Sequence, residues 1–388
     1  MRLIHTSDWH LGRTFEREDM LEHQGVFLDW LLSEAISRSI DALLVAGDIY
    51  DRAVPSTDAV SLLDRTLAAF SRADIPVVMT SGNHDSAVRL GFGSGLSEAA
   101  GIHLRTSVAD IARPVLLGAG GEGIAIYGVP YLLPDAVMVE LEADRSHMSV
   151  LSCAAGRIRD DARARGITRT VVLAHAFLTG GSAAESERDI RVGGIGDAPA
   201  RVFDGFTYVA LGHLHGPQQI SLTDSSTTLR YSGSPLAYSF SEKDHIKSVT
   251  LVDIDTHGQV TTTSLPAPVA RPLREVRGEL DELLARADSD LAQLADAWVK
   301  VTLTDRVRPV APMERLRERW PYTLVLAFDP EGGRTDPGTD MARLAATTDP
   351  VEVCALFVEY VDNAAPDDKA RAILREAVET AQHDVVGA

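Results

Sequence analysis

Aspartate, asparagine and histidine recur just after short apolar runs in this 388-residue chain. Asp8 and His10 follow "RLIHT", and Asp48 follows "ALLVAG". Asn83, His84 and Asp85 follow "PVVMTSG", His175 closes "TVVLA", and His213 and His215 follow "YVALG". In α/β sheets, ligands collect at the carboxyl ends of strands. Five such ends carrying donor residues are too many for accident, and Gly47, Gly82 and Gly212 stand beside the donors. Imidazole favours first-row metals, whereas carboxylate and amide oxygens favour harder cations. The mixture fits a pair of divalent ions such as Mn or Fe. The cysteines, Cys153 and Cys354, lie elsewhere, so no thiolate site is expected. Asp48 has two oxygens and could bridge two ions, which in two-metal sites sit roughly 3.5–4 Å apart and clamp an in-line phosphoryl displacement. Two carboxylates against two dications leave positive charge for an anionic phosphodiester.

These residues need a scaffold. The runs at 42–46, 76–80, 170–174 and 208–212 are continuously apolar, as suits strands buried on both faces. Val26, Phe27, Trp30, Leu31 and Ala35 form one helical stripe; Leu62, Leu63, Thr66, Leu67 and Phe70 form another, starting near Pro55 and Ser56. The expected class is α/β: a β-sandwich flanked by helices, with a small α+β capping domain and a C-terminal helical pair. The Pro-rich "LPAPVARPL" marks a boundary, giving domains at 1–268, 269–332 and 341–388. The capping segment reads helix, strand (298–305), helix, strand (322–329). A second linker, "DPEGGRTDPGTD", precedes two amphipathic helices. One carries Val353, Leu356, Phe357, Tyr360 and Val361, the other Ala370, Ile373, Leu374, Ala377, Val378 and Ala381, at i, i+3, i+4, i+7 spacing.

Two distant cysteines fit a reducing compartment. No run of about 18 apolar residues predicts a membrane span, and the N-terminus lacks a signal-peptide pattern. A cytoplasmic protein is expected. A net charge of −19 argues against a nucleic-acid binder held by a basic surface. It leaves room for an enzyme whose positive charge comes from metals, local arginines or a partner.

In order, Asp8-x-His10, Gly47–Asp48, Gly82–Asn83–His84–Asp85, His175 and Gly212–His213–Leu214–His215 resemble the motif series of the calcineurin-like metallophosphoesterases. "HTSDWHLG", "VAGDIYD", "SGNHDS", "ALGHLH" and "YSGSPLAYSF" look like signatures of one bacterial branch, the SbcD nuclease subunits. The similarity covers the first domain and continues more weakly beyond it. It implies one metal on Asp8, His10, Asp48 and His215, and a second on Asp48, Asn83, His175 and His213. It gives His84 a catalytic role, as transition-state stabiliser or general acid, a role worth about 10²–10⁴-fold. The nucleophile would be a water activated by the ions. Asp85 is expected to orient His84 by a hydrogen bond. The resemblance further implies Mn-dependent exonuclease action on duplex DNA ends and endonuclease action on single strands and hairpins. It implies an SbcC-like coiled-coil ATPase as partner, docked on the C-terminal helices, and a homodimer, assigned here to 59–70 and 90–100. Asp51 stands where related archaeal and eukaryotic nucleases carry His, which leaves its contribution open.

Plainer readings stand beside these. His5, His23, His103, His147, His245, His257 and His383 lie outside the series and are expected to be structural or superficial. Trp9 is expected to pack. Arg13, Thr14 and Arg52 flank the motif loops and could touch phosphates, although solvation is the simpler fate of each arginine. "VGGIG" (192–196) reads as a turn. Two other functions remain in view: a phosphodiesterase for a small nucleotide, and an architectural clamp with a vestigial metal site.

Overall fold

The computed structural model describes residues 1–118, 123–187, 198–330, 347–362 and 365–386, with 360–362 and 382–386 described by their backbone. The 192–196 turn and nearly all of the second linker lie outside the described residues. The chain divides into two compact units, Met1–Ala270 and Arg271–Ala388.

In the first unit, β1 (Arg2–Thr6), β4 (Ala42–Ala46), β5 (Val77–Thr80) and β6 (Ile102–Arg105) run parallel. β13 (Ser248–Ile254) and β14 (Val260–Pro266) extend that sheet antiparallel beyond β1, giving the order β14-β13-β1-β4-β5-β6. The second sheet runs β11-β12-β10-β9-β8-β7. Its parallel centre is β8 (Ile124–Val129), β9 (Thr170–His175), β10 (Tyr208–Gly212) and β12 (Thr228–Tyr231). The antiparallel edges are β7 (Val115–Leu117) and β11 (Gln218–Ile220). A minimal hairpin, β2 (Thr14–Phe15) and β3 (Glu18–Asp19), follows the first motif loop.

Three apolar layers explain why the central strands lack polar alternation. Leu3, Ala42, Leu44, Val78 and Val252 meet Ile124, Ile126, Val171, Leu173 and Ala210 between the sheets. The outer face of the first sheet packs under the helices Leu21–Ser37 and Thr57–Arg72. The outer face of the second packs under Pro134–Leu141 and His147–Ala164. The chain is thus a sandwich of two sheets between helices. The helix Thr57–Arg72 starts at Ser56, whose hydroxyl accepts from the Ala59 N–H at 3.2 Å. Its stripe, including Leu62, Leu63 and Phe70, turns into the core. In the helix Leu21–Ser37, Phe27, Leu31 and Ala35 are buried, but Val26 faces solvent; Leu28 takes the inward position instead.

In the second unit, β15 (Leu273–Gly278), β16 (Trp298–Leu303) and β17 (Thr323–Phe328) form a parallel sheet. Parallel neighbours require crossovers, which here carry the helices Leu280–Ala285 and Pro312–Arg319. Val299, Val301, Leu303, Leu316 and Trp320 form its core. β15 was not foreseen: "LREVRG" buries only Leu273 fully and leaves three residues exposed, so it carries little apolar signal. The helices Pro350–Asp362 and Asp368–Val386 are joined by an Arg371–Glu352 ion pair of 2.9 Å. Among the described residues no helix is long and apolar enough to cross a membrane.

His5 lies between the sheets. Its Nδ1 accepts from the Tyr208 hydroxyl at 2.9 Å, and its Nε2 donates to the Leu211 carbonyl at 3.2 Å. Both ring nitrogens are thus satisfied with the ring neutral. Burial lowers its pKa from 6.5 to about 3. The stability tied to this neutral ring is therefore full above pH 6.5 and is lost as pH falls toward 3. Between pH 7.5 and 5 this group alone should remove about 2 kcal/mol. Urea unfolding of His5→Gln should show an acid-induced loss smaller by that amount; an equal loss in both proteins would contradict the assignment.

Candidate metal centre

The motif residues converge where the carboxyl ends of β1, β4 and β5 meet those of β9 and β10. The loops after β1 and β4 run side by side: the Asp8 N–H donates to the Gly47 carbonyl, the His10 N–H to that of Asp48 and the Leu11 N–H to that of Ile49, at 3.0, 3.0 and 2.9 Å. Asp8, His10, Asp48 and His213 all have positive φ (55, 46, 50 and 106°). For residues with side chains this backbone is costly, at about 1–3 kcal/mol each, and such strain gathers at functional sites. Close approach explains two glycines. A Cβ at Gly82 would lie 2.1 Å from Asp48 Oδ1, and one at Gly47, itself at φ +84°, would lie 2.4 Å from His175 Nδ1.

Asp8, His10, Asp48, His175, His213 and His215 are all buried. Three overlapping groups bring donor atoms within 4.8 Å of one another: Asp8, His10 and His215; His10, Asp48 and His84; Asp8, Asp48 and His175. His10 Nε2 and His215 Nε2 face each other at 3.1 Å. Asn83 Oδ1 lies 2.9 Å from His175 Nε2 and 3.2 Å from His213 Nδ1. Asp48 Oδ2 stands 3.5, 3.7 and 3.9 Å from ring nitrogens of His175, His10 and His84. The structure thus gathers every residue that the sequence proposes as a metal ligand.

The donor chemistry fits cations. His175 Nδ1 donates to the Ala46 carbonyl at 2.9 Å, so its Nε2 keeps the lone pair and faces another acceptor, the Asn83 oxygen. A cation bound beside these two acceptors would satisfy both. The His10 Nδ1 is a buried atom with no hydrogen-bond partner, 3.8 Å from Asp51 Oδ1. Burial, then the neighbouring Asp48, pushes the Asp8 carboxyl well above its ordinary pKa. Burial likewise lowers His175 and His215 to about 4 and drives His10 well below its usual value, keeping the imidazoles neutral as ligands require. Divalent ions held by Asp8, His10, Asp48, Asn83, His175, His213 and His215 would offset the buried carboxylates and satisfy the facing lone pairs of His175 and Asn83.

His84 is held differently. Its Nδ1 donates to the Asp51 carbonyl at 2.8 Å, and its N–H donates to Asp48 Oδ1 at 2.8 Å, leaving Nε2 toward the centre. The expected Asp85–His84 hydrogen bond is not formed. The Asp85 carboxylate instead accepts the N–H groups of Gly82, Tyr50 and Ile49 at 2.8, 2.9 and 3.0 Å. It therefore fastens two motif loops together, because backbone donors lie nearer than the imidazole. Trp9 packs, edge-on to Phe27 with its indole N–H on Thr6. Arg13 is not solvated: it donates to the Ser186 carbonyl at 2.8 Å and covers the Tyr238 ring at 4.9 Å. Thr14 and Arg52 are exposed, Arg52 lying 3.5 Å from Asp51.

Several supporting residues escaped the sequence reading. The Gln24 amide accepts from the Gly12 N–H, and its NH2 group sits among the carbonyls of Trp9 and His10 and the Tyr238 hydroxyl, which itself donates to the Trp9 carbonyl. Its place four residues before Leu28, on the inward stripe, was the available signal. Glu187 accepts from the His215 N–H, and burial raises its carboxyl to about 7. Ser186, Glu242 and Lys247 gather behind His215; nothing in their spacing marks them.

Replacing Asp85 with Asn leaves one acceptor oxygen for three N–H groups. Asp85→Asn should lose about 2–3 kcal/mol in urea unfolding, since buried donors go unpaired, and should weaken Mn²⁺ uptake in calorimetry. Unchanged stability and uptake would refute the fastening role.

The family profile of the calcineurin-like phosphoesterases matches residues 1–217. A second profile, the SbcD C-terminal domain, described as the type 5 capsule protein repressor C-terminal domain, matches 269–362. The pairing is consistent with an SbcD nuclease subunit. Among solved structures, a dimetal phosphatase from Danio rerio is 12% identical, with 69% of this chain and 98% of that chain covered and a TM-score of 0.43. The protein TT1561 of Thermus thermophilus is 14% identical over 68% of this chain and 98% of its own, with a TM-score of 0.40. From the profile over residues 1–217, this chain belongs to the calcineurin-like phosphoesterase family.

Proposed function

We propose that the chain is a metal-dependent DNA nuclease subunit that works with an SbcC-like coiled-coil ATPase in DNA end processing, repair and recombination in the cytoplasm. The carrying observation is the cluster of two buried carboxylates and four buried imidazoles with the half-buried Asn83 amide beside them, together with the second family match. Bound there, two divalent ions, Mn foremost, would act as Lewis acids on a phosphoryl oxygen and lower the pKa of an attacking water. Asp8, His10, Asp48 and His215 would hold one ion, and Asp48, Asn83, His175 and His213 the other. The chain's own contribution to proton movement is His84. Its Nδ1–H is fixed on the Asp51 carbonyl, so only Nε2 can carry a proton to a leaving oxygen.

In this reading, residues 1–268 cut, 269–332 cap the DNA and 341–388 dock the ATPase. The exposed Phe357 and Ile373 on the C-terminal helices support docking. Phe92 and Leu96, with Val88 just before the segment, are each more than four-fifths exposed, which supports a homodimer through residues 90–100. The inward stripe of Thr57–Arg72 leaves Val60 as its exposed contribution. Thr14 and Arg52 remain available to DNA phosphates.

The test is hydrolysis with Mn²⁺ of linear duplex, single-stranded and hairpin DNA beside a generic phosphodiester. DNA should be cut, and His84→Gln should lower the rate about 10²–10⁴-fold with metal binding largely retained. Fast turnover of the generic ester with none on DNA would favour a small-nucleotide phosphodiesterase. Metal uptake without hydrolysis of either would favour a clamp.

A further inference from the structure

Behind His215, on the side away from the cluster, lies an ion pair that the proposed reaction does not use. The Glu242 side chain is fully buried and Lys247 nearly so, and Glu242 Oε2 pairs with the Lys247 ammonium. That ammonium has three N–H bonds and three acceptors: Glu242, the His215 carbonyl at 3.0 Å and Ser234 Oγ at 2.9 Å. The other carboxylate oxygen of Glu242 meets Ser186 Oγ at 2.5 Å and the Tyr238 N–H at 3.3 Å. Ser186 Oγ lies 2.7 Å from His215 Nδ1, whereas Glu242 itself is 3.5 Å from that nitrogen.

We infer that Lys247, Glu242 and Ser186 form a one-way hydrogen-bond chain that fixes His215 as its Nδ1–H tautomer and aims its bare Nε2 into the cation pocket. The direction follows from donor counting. A carboxylate held by an ammonium only accepts. Ser186 must therefore spend its single O–H on Glu242, which leaves its oxygen able only to accept from His215. Nδ1 then carries the proton, and the lone pair falls on Nε2, facing His10 Nε2 at 3.1 Å. The backbone is braced as well, since Glu187 accepts the His215 N–H and Lys247 holds its carbonyl. Ser186, Glu242 and Lys247 are positioning residues: they lie on the Nδ1 side of His215 and act through the imidazole.

The inference rests on the two-metal reading for its purpose, but its core, a single tautomer, is measurable in metal-free protein. In ¹⁵N-histidine-labelled full-length chain with metal chelated, His215 should show a protonated Nδ1 and a bare Nε2, its signals identified by their loss in His215→Gln. Glu242→Gln frees Ser186 to donate either way, so His215 should become a mixture of tautomers. Its Mn²⁺ affinity should fall about 10–100-fold. Because Glu242→Gln strands a buried ammonium, Ser186→Ala serves as the second variant; it keeps the ion pair and leaves His215 Nδ1 only the longer 3.5 Å contact with Glu242, so the tautomer preference should weaken and Mn²⁺ affinity fall in the same direction. An unchanged Nδ1–H tautomer with unchanged Mn²⁺ affinity in the folded variants would overturn the inference. Wild-type protein that binds no Mn²⁺ would instead overturn the two-metal reading, and the tautomer comparison would still stand as the test of the chain.

Discussion

Two carboxylates are buried in one small volume at the junction of two sheets, and everything around them is arranged to make that tolerable. Asp8 is ringed by donors rather than by a basic side chain: it accepts the Ser7 hydroxyl and the His213 N–H, and among the described residues it forms no ion pair with Lys or Arg. Asp48 is bordered by three imidazoles. Burying isolated carboxylates is expensive, and the usual escape is protonation or a counter-charge. Burial keeps the neighbouring histidines His10, His175 and His215 neutral, so they cannot supply that charge. A site built this way suits divalent cations, which would supply the counter-charge that the neutral imidazoles lack.

The fold serves that cluster through its two sheets. Neither sheet holds all of the candidate ligands: β1, β4 and β5 deliver Asp8, His10, Asp48 and Asn83, while β9 and β10 deliver His175, His213 and His215. The sheets are tied near the site by buried polar links, with His175 on the Ala46 carbonyl and His5 on the Leu211 carbonyl. Strained loop backbones at Asp8, His10, Asp48 and His213 persist because neighbouring loops hold them from both sides.

Much of this was legible in the sequence, for identifiable reasons. Strands buried on both faces read as unbroken Val and Leu runs, and the candidate ligands sit beside glycines that close approach demands, so donor residue and strand end announce each other. β15 was hidden because its strand is mostly exposed. Asp85 was given the wrong partner because sequence adjacency suggests His84, whereas the fold brings the N–H groups of Ile49 and Tyr50 from a loop more than thirty residues away. Ser186 and Glu242 were invisible because they reach His215 from 29 and 27 residues away and share no periodicity with it.

The claim on which the account rests is that this cluster holds two cations with Asp48 between them. Anomalous diffraction from crystals of the chain grown with Mn²⁺ measures that directly. Two peaks should appear, one toward Asp8, His10 and His215 and one toward Asn83, His175 and His213, with Asp48 contacting both. A folded chain with one peak, with none, or with Mn²⁺ bound away from these side chains would contradict it.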